Sequence, residues 1–219
     1  MRNKVTRAPL RLEQGIFKSP RTAWAAVILY TVTLYGTLTI AFRLYSYVFD
    51  RMGKPFMSSA MMWIYAPVGL FLLMLLVFRL PRRTGAYLTF IMMALALLYC
   101  LTRLEVPAKR FHFLQYAPLG ILVFDALRFH CRDRYHYVWA MALVTLVGLG
   151  DEILQGILPN RYFGVNEVVI NSAAGFFALV FIGFVLGEEN YPWPHKDAGN
   201  RAHVPVSETA DSPDNAVAH

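Results

Sequence analysis

Side chains able to do chemistry fall into three short segments of this chain. The first holds Glu105, Lys109, Arg110, His112, Gln115 and Tyr116. On a helix, residues four apart share a face, so His112 stacks on Tyr116 with Gln115 beside them. Such a segment serves equally as an interfacial anchor, where Tyr and basic residues mark the level of lipid head groups. The second segment holds Asp151, Glu152, Gln155 and Arg161, with Pro159 expected to end its helix. Thr145, Gly148, Glu152 and Gln155 fall at i, i+3, i+7 and i+10, which makes one small, polar stripe. Asp151 points about 100° away from Glu152, so the two carboxylates are not an evident acid and base pair. The third segment lines up Glu167, Asn171, Ala174 and Ala178 on one face, small enough for close helix approach and polar enough for an interhelical hydrogen bond.

The chemistry open to these groups is limited. Arg110 and Arg161 suit a phosphate or carboxylate, because a guanidinium makes paired charge-assisted bonds, and Glu152 and Glu167 can orient them. Alternatively, His112 and Glu152 act as base and acid. A single histidine among these segments, with no three-ligand spacing, leads us to expect no metal and no other cofactor. There is no Gly-x-Ser-x-Gly element, and Cys100 and Cys131 form neither a disulfide framework nor a metal motif. These absences lean away from an enzyme.

The elements that must position these groups follow from composition. Of 219 residues, 57% are hydrophobic and 16% charged, with a mean hydropathy of +0.42. The apolar stretches are apolar around the whole helix, which requires lipid on at least one side. The expected fold class is an all-α polytopic transmembrane bundle of about six helices, over 24–42, 59–78, 86–101, 111–127, 137–158 and 168–186. Pro67 and Gly69 should bend the second helix, and the third run is the weakest. The chain divides into a basic segment 1–22, three helices within 23–102, three more within 103–187, and a polar tail 188–219 expected to be disordered. The net charge of +7 is spread between the apolar runs, which argues against nucleic acid and for membrane lipids as partners. Alternate segments carry Lys and Arg in a two-to-one ratio, which places both termini in the cytoplasm of a multi-pass protein of the inner (plasma) membrane.

Taken together, Glu152-x-x-Gln155, Pro159-x-Arg161, an acidic residue four before Asn171, and a basic residue followed by His112 and Tyr116 resemble the VanZ-like family of membrane proteins. The resemblance covers about 103–186. This chain has Glu167 where that family usually has Asp, and Ala174 where it usually has Gly, with Gly175 next. The resemblance implies a cell-envelope protein from a family linked to resistance to the antibiotic teicoplanin. The functional expectation is an outer-face pocket for a polar or anionic group on a lipid-linked envelope precursor, with Lys109, Arg110, His112, Tyr116, Glu152, Gln155, Arg161, Glu167 and Asn171 as its polar network. An intramembrane enzyme, a proton-coupled carrier with Glu152 titrating, and a bundle that assists partner proteins stand as alternatives. The sequence leaves the oligomeric state open.

Overall fold

The computed structural model describes residues 16–79, 84–131, 135–159 and 161–187. All regular structure among them is helical: α1 (Pro20–Arg79), α2 (Thr84–Arg103), α3 (Pro107–Leu127), α4 (Tyr135–Ile157), α5 (Val165–Val180), and a π-helical continuation of α5, Phe181–Gly187. Among the described residues, four helical segments are long and apolar enough to cross a membrane: Pro20–Val77, Thr84–Arg103, Tyr135–Ile157 and Val165–Val185. The expected tail, the loop cations Arg82, Arg83, Arg132 and Arg134, and Asn160 lie outside the described residues.

Three expectations about boundaries change. The first two apolar runs lie on two helices that meet directly at Gly53 and are numbered together as α1, so the expected connecting loop narrows to that one residue. The α1 backbone stays helical through Pro67 and Gly69; the break is at Gly53, with φ 76° and ψ 171°. Positive φ is a conformation that a Cβ opposes, and Pro55 just beyond has no backbone N–H to continue the ladder, so the interruption falls here. The third run, extended at both ends, forms the 20-residue α2.

α3 is the organising helix, touching α1, α4 and α5. Lys109, Arg110 and Asp125 make it the least lipid-like of the five, and most of its residues are buried, including Tyr116, Leu119 and Val123 with no exposure. α1, in contrast, presents Leu29, Trp63 and Phe71 to its surroundings. Residues on both sides of Gly53 reach α3: the Tyr30 hydroxyl donates to the Gln115 carbonyl at 2.8 Å, and the Tyr65 hydroxyl donates to that of Arg110.

α5 lies close to both α3 and α4 through its small residues. A Cβ placed on Gly148 of α4 would stand 2.8 Å from the Asn171 Cβ, and one on Gly175 would stand 2.6 Å from Val144 Cγ1. Contacts that short are sterically excluded, so these crossings exist because both positions are glycine. The approach brings the α4 stripe against α5, where Ser172 donates to the Thr145 hydroxyl at 3.0 Å.

Candidate functional site

The polar residues converge where α3 and α5 begin and α4 ends. Pro107 opens α3, its missing N–H costing nothing in the first turn, and sets Lys109 and His112 on the face toward α5. Glu167 lies in the first turn of α5, where the unpaired N–H groups favour a carboxylate. Its two oxygens meet Lys109 Nζ at 3.3 Å and His112 Nε2 at 3.5 Å. The His112 ring stacks on Tyr116, centroids 6.2 Å apart, as the four-residue spacing requires.

α4 supplies Glu152 and Gln155, both buried. After α4 ends at Ile157, just before Pro159, the chain folds back over them. The Gly164 N–H donates to Glu152 Oε2 at 3.2 Å, Gln155 Nε2 donates to Glu152 Oε1 at 3.1 Å, and Arg161 donates to Gln155 Oε1. Arg161 thus reaches Glu152 through an amide, and its guanidinium also lies over the Phe42 ring at 4.7 Å. Such a chain of charge-assisted bonds, drawn from helix and loop together, holds Glu152 in a fixed orientation away from hydrocarbon.

Beside this network is a cavity of about 610 Å³. One end is polar, lined by Lys109, His112, Gln115, Gln155, Arg161 and Glu167. The remainder is apolar, formed largely by α1 on either side of Gly53, with Leu38, Phe42, Val48, Phe56 and Met61 among its walls. The shape suits a molecule with a charged head and a hydrocarbon body.

Two expected members of the network lie elsewhere. Arg110 is buried with its guanidinium committed to backbone and hydroxyl oxygens: Nη1 donates to Ser58 O at 3.0 Å and Ser58 Oγ at 2.7 Å, and Nη2 donates to Leu104 O at 3.0 Å. It clamps the second half of α1 to the α2 to α3 connection and offers the cavity nothing. Asn171 is fully buried against Gly148, and its amide has no hydrogen-bond partner among the described residues, so the expected interhelical bond is not formed. Conversely, sequence reasoning missed the partner of Asp151. Tyr116, beneath His112, donates its hydroxyl to Asp151 Oδ2 at 2.9 Å, which turns this carboxylate toward α3 and out of the cavity network.

The expectation that no three-ligand metal set exists does not hold. His112, Glu152 and Glu167 bring one potential ligand atom each within 4.8 Å of one another. They come from three helices, so no spacing along the chain could show the set.

A second polar cluster, also unanticipated, occupies the opposite end of α3. Asp125 and Arg128 pair at 2.9 Å, the backbone N–H groups of Ile16 and Phe17 donate to the Asp125 carboxylate, and Arg128 donates to the Phe17 carbonyl. The i, i+3 spacing of opposite charges was the available signal. Both groups are almost wholly buried in fixing the start of α1, a structural task.

Compared with protein-family models, with curated proteins and with solved structures, the chain matches none of them.

Proposed function

We propose that this chain is a cell-envelope membrane protein that binds a lipid carrying an anionic head group, with the head at Lys109 and Arg161 and the hydrocarbon body along α1. The observation that carries this reading is the polarity gradient of the cavity, cationic and amidic at one end and apolar over the rest. Lys109 contributes a point charge and Arg161 a planar fork, a combination suited to phosphate or diphosphate oxygens. Gln155 and Glu152 orient Arg161, and Gln115 adds hydrogen-bonding capacity. The resemblance to the VanZ-like family supports the envelope setting and makes a lipid-linked precursor the favoured ligand class.

In this reading the two halves of α1 cross the bilayer separately, with Gly53 at the turn, and with α2 to α5 make six crossings. Their contacts support it: Phe17, before α1, meets Asp125 and Arg128; Tyr30 meets Gln115; Ser58 meets Arg110; and Leu76 packs with Phe181 and Val185 beyond α5. The cavity then lies in the outer leaflet, in agreement with the charge bias of the loops.

The test is binding of a polyprenyl diphosphate to the purified chain in nanodiscs. Arg161→Ala should weaken it at least tenfold while the protein remains inserted and abundant. Unchanged affinity sinks the reading, and loss of abundance assigns Arg161 to packing. The nearness of His112 and Glu167, with Glu152 beside them, favours one second reading, hydrolysis or transfer at the bound head group. Its mark is turnover of that lipid by the wild-type protein, abolished in Glu152→Gln.

A further inference from the structure

We infer that His112, Glu152 and Glu167 form a binding site for a divalent transition-metal ion at the polar end of the cavity. The three donor atoms already lie within 4.8 Å of one another. Around an ion with bonds of roughly 2.0–2.2 Å, donors stand about 3–3.5 Å apart, so rotation of side chains by about 1 Å closes the set. Because the residues belong to α3, α4 and α5, the spacing is set by the packing of the bundle.

Features beyond proximity point to an ion. His112 lines the cavity and is about nine-tenths buried, its Nε2 meets Glu167 only at 3.5 Å, and its Nδ1 has no hydrogen-bond partner among the described residues. The long Nε2 contact leaves that nitrogen free to take an ion in place of the carboxylate proton partner. Glu152 is held by the Gly164 N–H and by Gln155, the kind of outer partnership that orients a ligating carboxylate and leaves further lone pairs free. Two carboxylates facing each other also need positive charge, and Lys109 and Arg161 are the cations nearby. Arg161 is engaged by Gln155, which leaves Lys109 as the group that competes with an ion for Glu167. One imidazole and two carboxylates, without a thiolate, suit Mn²⁺, Fe²⁺ or Zn²⁺. Three protein ligands leave positions open, and His112 and Glu167 both line the cavity, so an oxygen of a bound head group can complete the shell. That last step rests on the lipid reading, whereas the ion does not.

The experiment strips the full-length protein in detergent with chelator and titrates it with Mn²⁺ alone, then with Mn²⁺ and the polyprenyl diphosphate. One ion per chain is expected, with micromolar or tighter affinity and a thermal midpoint that rises with ion concentration. His112→Ala and Glu152→Gln should weaken binding at least tenfold, as loss of a ligand does, while Lys109→Ala should strengthen it. In the wild-type protein, electron spin echo spectra of bound Mn²⁺ should show modulation from one imidazole nitrogen, a readout independent of whether any variant folds. No stoichiometric uptake by wild type, or bound Mn²⁺ without imidazole modulation, overturns the site. Uptake of the ion without any effect of the lipid upholds the site and removes only the step in which a head-group oxygen completes the shell; the lipid reading itself stands or falls on the affinity measurement.

Discussion

At the level of single residues, helical spacing identified which side chains share a face but not which partner each would take. His112 over Tyr116 follows from a four-residue interval, and burial of Glu152 follows from the cost of a carboxylate in lipid. Arg110 and Lys109 differ by one position and about 100° of helix rotation, and that angle alone sends one to Ser58 and the other to Glu167. No pattern along the chain announces Ser58, because the contact exists only once α1 lies against α3. The Tyr116 to Asp151 bond is equally long-range, and it yields a prediction. Both groups are buried, Tyr116 bonds Oδ2, and Asp151 Oδ1 has no hydrogen-bond partner among the described residues. Tyr116→Phe therefore strands the carboxylate and should cost ~1–3 kcal/mol, read as a lower thermal midpoint in detergent. Asp151→Leu in the same background should recover part of that loss by removing the unpaired polar group. A single variant as stable as wild type would show that Asp151 is satisfied in another way.

Whole helices were legible where composition changes sharply and obscure where it does not. The end of α4 before Pro159 and the small face of α5 follow from residue type, whereas the path between the first two apolar runs does not. Arg43, Asp50, Arg51 and Lys54 suggest a loop there, yet each tolerates helix, and the interruption narrows to the one residue able to adopt positive φ. The packing of α4 on α5 matters most for the proposed metal site, since it sets the separation of Glu152 from Glu167. Gly175→Ala places a methyl group against Val144 Cγ1 and should push the helices apart, destabilising the protein by about 1–3 kcal/mol. Val144→Ala removes the atom that is struck, so the double variant should be more stable than Gly175→Ala alone, a non-additivity expected only for direct contact. Thermal denaturation of the three variants checks this, and strictly additive losses would refute the close crossing.

On the scale of the whole molecule, the two ends of α3 carry opposite kinds of polar cluster. One end, with Lys109, His112 and Glu167, borders a cavity and leaves cationic and ring nitrogen atoms with capacity to spare. The other, Asp125 with Arg128, is buried and saturated by the backbone just before α1. Under the proposed function, the open site belongs on the face where the lipid head group resides, and the anchor at the start of α1 on the opposite face. The charge bias of the loops agrees with that proposal, because positively charged segments resist translocation. In the proposed orientation Glu105, exposed between α2 and α3, is outside the cell and Lys18, exposed before α1, is inside. With Cys100 and Cys131 replaced by serine, a membrane-impermeant maleimide applied to intact cells should label Glu105→Cys at once and Lys18→Cys only after permeabilisation. The reverse pattern would turn the cavity toward the cytoplasm, where an outer-leaflet lipid cannot enter it, and would require a ligand from the cytoplasmic leaflet instead.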